Sequence, residues 1–353
     1  MRVLLYTNAG WEVGSAREWF YQMHDYLTER GIDSSLNSFD RDQFDIAIIL
    51  RNEKDLIRKV LEHSPHAHIG VLNPGSLGFT NTLTPELTDM VNNVDFFLVV
   101  GFMWTELLLP FHRRVYEVID YDIPVGKLVK QHSGSDDLVI GYHGNPLHYA
   151  NDFFPYGADA LKRLSREHKV TFKVVTNNVK KLPKVEGVET EFIEWELETY
   201  KNHLQTFDIG VCPSFSTLAQ ISDPLVHVRN PNRINTLLFY GIPSVASPIP
   251  QSCQILRHDE TVLFAATEEG WYHSMKRLVI DHELRNRIGG NGRKMVEQEF
   301  SHTVAVEKFI KMIRSELDQP LFPKKGYTSF SGSCPSLQRR LTKIFQKLAG
   351  FLK

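Results

Sequence analysis

One stretch, residues 207–250, restricts the fold of this chain more than any other. It begins with an apolar run headed by an acid, residues 207–212, which is typical of a buried strand. A polar loop leads into residues 234–240, which are apolar at helical spacing and are followed by Gly241 as a stop signal. Residues 242–248 then predict a second short strand. Strand, loop, helix and strand in this order predict a parallel α/β sheet whose loop lies at the carboxyl edge, where open sheets bind ligands.

The loop before this helix carries a basic pair that suits an anion. Arg229 and Arg233 stand four residues apart beside the predicted helix start. The helix dipole and free N–H groups favour phosphate there, and each guanidinium adds a bidentate contact. A solvated loop face is the alternative for any isolated basic pair. The Asn-Pro-Asn sequence between the arginines and the sharp Gly-Ile-Pro stop favour the anion site.

Strand-then-helix units continue on both sides of this stretch. They predict two doubly wound, Rossmann-like parallel-sheet domains, residues 1–120 and 138–318, facing each other across a cleft. Residues 121–137 are polar and indicate an interdomain linker. The length of 353 residues is enough for two domains that each bury a core.

The end of the chain differs from both domains. Residues 319–336 are rich in Pro, Ser and Gly, which predicts a flexible linker. Residues 337–353 predict a basic amphipathic helix without an acidic residue, which suits an anionic membrane surface. Packing onto the protein itself or onto a second subunit is an equally good interpretation of this tail.

Composition excludes several classes of protein. The net charge of −2 argues against nucleic-acid binding, which needs a strong positive field. The three cysteines are widely spaced and form no disulfide or metal pattern, which suits a reducing compartment. The chain also contains no apolar run long enough to span a bilayer and no HExxH, GxSxG or paired-acid motif. We therefore expect a cytoplasmic protein, at most peripheral at the inner face of the membrane, that uses neither a metal nor a cofactor.

Two loops contain glycines after the first strand of each predicted domain, at residues 10–14 and 141–144. Neither matches the dinucleotide or the P-loop pattern. Gly144 and Asn145 would let the backbone approach a diphosphate from the strand edge opposite the two arginines. Arginines and backbone N–H groups would then stabilise a diphosphate leaving group electrostatically. His143 adjoins this loop, although a lone histidine in a loop is more often structural than catalytic.

These motifs together resemble those of the GT-B glycosyltransferases, in particular the retaining family-four type of bacterial polysaccharide pathways. The sequence LVIGYHGNPLHY is similar to the first strand and phosphate loop of their donor domain. The runs FDIGVCPS and RNPNRINTLLFYGIPSVASPIPQSCQIL are similar to their donor motif. The resemblance covers residues 138–318 well, whereas residues 1–120 match in layout only and would form the acceptor side. It implies metal-independent transfer of a sugar, with retained stereochemistry, from a nucleotide-sugar donor to a saccharide or lipid-linked acceptor.

One departure from the family pattern affects the donor site. Members of the family carry two glutamates eight residues apart, and the corresponding positions here are Val228 and Thr236. A threonine would bind a ribose more weakly than a carboxylate does. Arg229 and Arg233 stand where related members have lysines, so the charge needed for a diphosphate remains.

The resemblance implies a set of site residues. His143 is the candidate catalytic residue, through contact with the reacting sugar. The diphosphate would contact Gly144, Asn145, Arg229 and Arg233; the ribose, base and sugar would contact Thr176, Asn177, Asn235 and Thr236; and the acceptor would contact Gly14, Ser15, Asn73 and Ser76.

Two other functions compete with a transferase. A non-catalytic GT-B-like protein that binds sugar nucleotides or a partner enzyme is favoured by the missing glutamates and opposed by the retained arginines and glycine loop. A nucleotide-sugar epimerase of the same fold would need several catalytic acids in the cleft, which the sequence does not place.

Overall fold

The computed structural model describes residues 1–51, 53–74, 85–123, 129–134, 137–215, 226 and 228–325. The predicted acceptor residue Ser76, the tail at 337–353, and most of the second predicted linker lie outside these residues.

The first sheet contains six parallel strands in the order β2-β1-β3-β4-β5-β6. Its strands are β1 (Arg2–Tyr6), β2 (Asp33–Leu36), β3 (Ile46–Leu50), β4 (His68–Leu72), β5 (Phe96–Val100) and β6 (Val115–Val118). Strands β3, β4 and β5 are buried along their whole length, as expected of central parallel strands covered by helices on both faces. Those helices are α1 (residues 14–29), α2 (Lys54–His63), α3 (Pro85–Asn93) and α4 (Phe102–Leu108).

The second sheet is also parallel and six-stranded, in the order β12-β11-β10-β7-β8-β9. Its strands are β7 (Leu138–His143), β8 (Val170–Thr176), β9 (Glu189–Glu194), β10 (Ile209–Cys212), β11 (Ser244–Ala246) and β12 (Leu263–Phe264). Its helices are α5 (residues 146–165), α6 (Tyr200–Leu204), α7 (Asn232–Phe239), α8 (Pro250–Ile255), α9 (Glu268–Ile280) and α10 (His282–Glu299). The predicted pair of doubly wound parallel domains is confirmed.

The last helix, α11 (His302–Leu317), belongs to the core of the first domain. Val306, Phe309 and Ile313 are buried against the first sheet and α1 rather than against the second sheet. This differs from the predicted boundaries, which placed residues 138–318 in one domain. The helix has an apolar stripe that either sheet could cover, and the chain crosses back between the domains before α11 begins. Asp122, in the first crossing, forms a parallel bridge with Ser301, in the second, so the two crossings run side by side.

Residues 319–325 do not form the free linker that their composition predicts. Phe322 donates its backbone N–H to Asp95 at 2.8 Å, and Lys324 forms an ion pair with the same carboxylate. The guanidinium of Arg114 stacks 4.3 Å from the ring centre of Phe322. Because Asp95 and Arg114 precede β5 and β6, this segment is held at the amino edge of the first sheet, on the side opposite the cleft.

Helix α10 packs directly on the turn that ends α7. Gly241 occupies the left-handed region, with φ of +71°, and closes α7 before β11. A Cβ at Gly289 would stand only 2.0 Å from the carbonyl oxygen of Gly241, so glycine alone permits this approach. The carboxyl end of α7 is therefore fixed, and its amino end is held at the edge of the second sheet.

Candidate functional site

The loop after β7 and the first turn of α7 meet at the carboxyl edge of the second sheet. Arg233 Nη2 donates to the carbonyl of Pro213 at 2.6 Å, and its Nη1 lies 3.4 Å from the hydroxyl of Tyr142. A Cβ added to Gly144 would stand 2.7 Å from Cδ of Arg233. The predicted glycine loop and one predicted arginine are thus in direct contact.

The backbone of the glycine loop is held in one conformation. Gly144 has φ of +136°, which residues with a side chain rarely adopt. The hydroxyl of Thr176, which is fully buried, donates to the carbonyl of Gly144. Asn145 caps the start of α5 by accepting from the N–H of Leu147 at 2.8 Å. Thr176 therefore lies beneath the loop, whereas its neighbour Asn177 is exposed above the sheet edge.

His143 supports the first turn of α7 from below. The ring is 6% exposed, and its Nε2 lies 2.9 Å from the carbonyl of Arg233, to which it donates. Burial lowers the pKa of His143 to about 4, so the ring is neutral near pH 7. In this structure the ring fixes the backbone of Arg233; contact with a reacting sugar stays a prediction.

Arg229 is already paired inside the second domain. Its Nη1 donates to Asp152 Oδ2 at 2.7 Å and also contacts the carbonyl of Ser214. Asp152 accepts a second bond, from Nδ1 of His148, at 2.6 Å. Burial alone would raise the pKa of Asp152, but the hydrogen bonds and charges of His148 and Arg229 outweigh it and lower the pKa. The two predicted arginines are therefore different: Arg229 is partly neutralised, and no carboxylate lies within ion-pair distance of Arg233 in the described part of the chain.

Asp120 joins the loop before α7, which we call the donor loop, to the first domain. Its Oδ1 accepts from the indole N–H of Trp19, in α1, at 3.1 Å, and its Oδ2 accepts from the side chain of Asn230. Burial raises the pKa of Asp120, while hydrogen bonds from Trp19 and Asn232 oppose the rise. The carboxylate is 7% exposed. It is therefore a buried link between the two domains, next to the loop that carries both arginines.

The remaining predicted donor residues lie on α7 itself. Thr236 is 8% exposed, and its hydroxyl donates to the carbonyl of Asn232 at 3.0 Å, one turn earlier. Asn235 is 4% exposed, and its side-chain oxygen has no hydrogen-bond partner among the described residues. Val228, at the other position where the related family has a glutamate, is half-buried. No carboxylate of α7 therefore reaches the site.

On the first domain, the predicted acceptor residues Gly14 and Ser15 form the first turn of α1. Val13 precedes the helix, and no side chain caps it. Asn73 follows β4 with φ of +50°. These residues therefore lie at the carboxyl edge of the first sheet, facing the second domain.

The described residues contain neither a metal-ligand cluster nor a membrane-spanning helix. In these ranges no three His, Cys, Asp or Glu side chains converge as metal ligands would. Nor does any helix of this part of the chain have the length and apolar character needed to cross a bilayer.

No protein-family model and no curated protein sequence matches the chain. Solved structures do match it. A glycosyltransferase from Rickettsia africae superposes with a TM-score of 0.63 and 10% identity, covering 90% of this chain and 99% of that chain. A sucrose-phosphate synthase from Thermosynechococcus elongatus gives a TM-score of 0.62 and 10% identity, covering 89% and 99%.

A third match is the Anabaena protein HepE. Its complex with UDP gives a TM-score of 0.64 and 11% identity, and its complex with UDP-glucose gives 0.60 and 10%, each covering 89% of this chain and 100% of that chain. At identities this low, the similarity establishes the fold. The chain has the GT-B fold predicted from its sequence.

Gly144 and Arg233 are predicted from the sequence and meet in the structure, whereas Asp120 and Asp152 are not predicted from it. Asp152 stands four residues after His148, a spacing that places both side chains on one helix face and that could have indicated their pairing. Asp120 had no such signal, because its partners are in α1 and in the loop before α7.

Proposed function

We propose that this chain is a glycosyltransferase that moves a sugar from a nucleotide-sugar donor to a saccharide or lipid-linked acceptor. The observation that carries the proposal is the contact between Arg233 and the loop at Gly144, at the edge of the second sheet that faces the first domain. A donor diphosphate at this contact would meet a guanidinium, backbone N–H groups and the uncapped start of α7.

Such a contact can promote transfer by electrostatics. When the bond between the sugar and the diphosphate breaks, negative charge develops on the leaving phosphate oxygen. Arg233, whose carbonyl is held by His143 and whose Nη2 is held by Pro213, would stabilise that charge without reorganising. Arg229 would contribute less, because Asp152 already shares its charge. The positive charge at the loop is our reason for proposing transfer without a metal.

The donor is proposed to be a uridine diphosphate sugar. HepE, which shares the fold, was solved with UDP and with UDP-glucose. The proposal includes retained stereochemistry and a role in polysaccharide synthesis. Its basis is the resemblance of the motifs at residues 138–149 and 207–250 to those of the retaining family. Proton NMR of the product would show whether the anomeric configuration is retained.

Ligand-induced stabilisation tests the donor site. We expect one nucleoside diphosphate, or its sugar, to raise the Tm of the full chain, because a ligand that binds only the folded state stabilises it. At a ligand concentration of about 100 times Kd the gain in unfolding free energy is about 2.7 kcal/mol. Thermal-shift titrations with UDP, GDP, ADP and their glucose conjugates, with and without Mg²⁺, would measure it. If none of these ligands changes the Tm, the chain does not have the proposed site.

A non-catalytic sugar-nucleotide-binding protein is the second candidate. The specific observation that favours it is the absence of a carboxylate at Val228 and Thr236, together with the partial neutralisation of Arg229. A non-catalytic protein would show the same rise in Tm. It would release no nucleoside diphosphate from a bound UDP-sugar when saccharide acceptors are added. A coupled assay for released UDP separates the two functions.

Membrane attachment through residues 337–353 is also proposed, from their basic amphipathic sequence. We expect the full chain to co-sediment with vesicles of phosphatidylcholine and phosphatidylglycerol, and a variant ending at residue 336 to stay in the supernatant. Pure phosphatidylcholine vesicles are the control, because each basic residue near an anionic surface contributes about 1 kcal/mol. If the full chain does not co-sediment with the anionic vesicles, membrane attachment is contradicted.

A further inference from the structure

A cavity of about 370 Å³ opens between the two domains, beside the chain crossing at residues 121–123. We call it the hinge cavity. Its walls come from the loop before α1, from α1 itself, from the first crossing and from α6 with the preceding loop. The lining residues used below are Trp11, Arg17, Glu18, Gln22, Tyr121 and Tyr200. Its volume falls within the range of about 300–1,000 Å³ of small-molecule sites, which are frequent at domain interfaces.

The polar wall of the hinge cavity is formed by an irregular part of α1. Residues Arg17–Gln22 adopt π-helical geometry inside an otherwise α-helical segment. A π-helical insertion re-aims side chains, and such insertions are frequent at functional sites. Here it brings Arg17, Glu18 and Gln22 to the same cavity. Together these three side chains offer a guanidinium, a carboxyl and an amide.

Glu18 has unused hydrogen-bonding capacity. Its backbone carbonyl accepts from Tyr121, but within the described residues its carboxyl has neither a hydrogen bond nor an ion pair. Burial and the nearby carboxylates of Asp120 and Asp122 raise the pKa of Glu18 well above its usual value. The protonated form is thereby favoured, and it can both donate and accept a hydrogen bond. The carboxyl is half-buried and lines the cavity, so it is free to exchange water for the hydroxyl of a ligand.

Trp11 supplies an aromatic face to the same cavity. It is 42% exposed, which is unusual for the largest side chain, and its ring packs edge-on against Tyr21 with the centroids 5.6 Å apart. Tyr200 lines the opposite wall. A sugar ring has C–H faces that stack on aromatic rings and a rim of hydroxyls that each donate and accept. The exposed ring of Trp11, the half-buried ring of Tyr200 and the carboxyl, amide and guanidinium groups match that surface.

We propose that the hinge cavity binds a neutral sugar unit of the acceptor. The inference rests on the proposed function and specifies its acceptor class. Of the predicted acceptor residues that the structure describes, Gly14, Ser15 and Asn73, none lines the hinge cavity. The carboxylate of Asp120 connects the cavity to the donor loop, since its neighbour Tyr121 lines the cavity and its partner Asn230 adjoins Arg229. A sugar in the hinge cavity would therefore lie beside the donor site without occupying the contact between Arg233 and Gly144.

Saccharide titrations of the full chain saturated with UDP test this inference. The probes are the methyl α- and β-glycosides of glucose, galactose and N-acetylglucosamine, with maltose and lactose, followed by saturation-transfer NMR and calorimetry. We expect at least one to bind with a millimolar Kd. Trp11→Ala and Glu18→Ala should each raise that Kd about tenfold, whereas Trp11→Phe and Glu18→Gln should change it less than about threefold.

Leu109→Ala is the matched control, because Leu109 is 45% exposed and does not line the hinge cavity. It should leave saccharide binding unchanged, and no variant should alter the Kd of UDP by more than about twofold. The inference is overturned if no probe binds at about 50 mM, or if Trp11→Ala leaves saccharide binding intact. It is also overturned if Trp11→Ala weakens UDP, since the cavity would then hold the nucleoside. Failure to bind UDP would instead contradict the proposed function itself.

Discussion

Arg233→Ala is expected to weaken UDP binding by about 2–4 kcal/mol, a loss of about 30- to 1,000-fold in affinity. The magnitude follows from the environment of the guanidinium. It lies against Gly144, is held by Pro213 and Tyr142, and has no carboxylate partner in the described structure. Arg233 is half-buried, and a charged contact with a diphosphate at a partly desolvated site is worth more than one at the open surface. Calorimetric titration of UDP into each variant measures the difference.

Arg233→Lys is the informative companion variant. It keeps the charge but loses the planar fork, so we expect an intermediate loss of affinity. Arg41→Ala serves as the control, because Arg41 is an exposed arginine paired with Asp33. Its affinity for UDP should equal that of the unmodified chain. If Arg233→Ala bound UDP as tightly as the unmodified chain does, the anion site would have to be elsewhere.

Glu316→Ala should lower the free energy of unfolding of the first domain by about 3–5 kcal/mol. Glu316, near the end of α11, is fully buried and accepts from three side chains. His68 Nδ1 lies at 2.8 Å, Arg114 Nη1 at 2.8 Å and the hydroxyl of Tyr116 at 2.7 Å. Removing the carboxylate would leave the guanidinium of Arg114, whose side chain is only 15% exposed, without its carboxylate partner and with the carbonyl of Pro320 as its remaining acceptor. Urea unfolding followed by circular dichroism would measure the loss.

Two further variants serve as controls for Glu316→Ala. Glu316→Gln retains an acceptor and removes the charge, so its loss should be smaller than that of Glu316→Ala. Glu307→Ala changes an exposed residue of the same helix and should stay within about 0.5 kcal/mol of the unmodified chain. If the urea midpoint of Glu316→Ala equalled that of Glu307→Ala, the contacts of Glu316 with the first domain would not hold α11 in place.

The fold could be predicted because the central strands are continuous apolar runs. Residues 46–50 and 96–100 are buried throughout and contain no polar residue, which few structures other than a covered parallel strand allow. The position of α11 could not be predicted in the same way. Its apolar stripe shows that one face is buried, but the stripe carries no information on which sheet buries it. That choice depends on the path of the chain through the crossing at Asp122 and Ser301.

The candidate site also contains some residues that could be predicted from the sequence and others that could not. Gly144 and Arg233 were predictable because each lies next to a strand or helix end with a recognisable pattern, and parallel strands bring such ends to one edge. Asp120 was not, because its partner Asn230 lies 110 residues away in the other domain. Glu18 falls at a helical position that looks ordinary in sequence, and only the π-helical geometry of α1 brings it to the hinge cavity.

The position of α11 affects how the protein can fold during synthesis. Residues 1–120 leave the ribosome first, yet the core they belong to also needs Val306, Phe309 and Ile313. The apolar surface that these side chains cover therefore stays open while the whole second domain is translated and begins to fold. The first domain therefore cannot be completed before the second domain has been synthesised. An exchange of the first domain between relatives would likewise need two splice points, one at each crossing, rather than one.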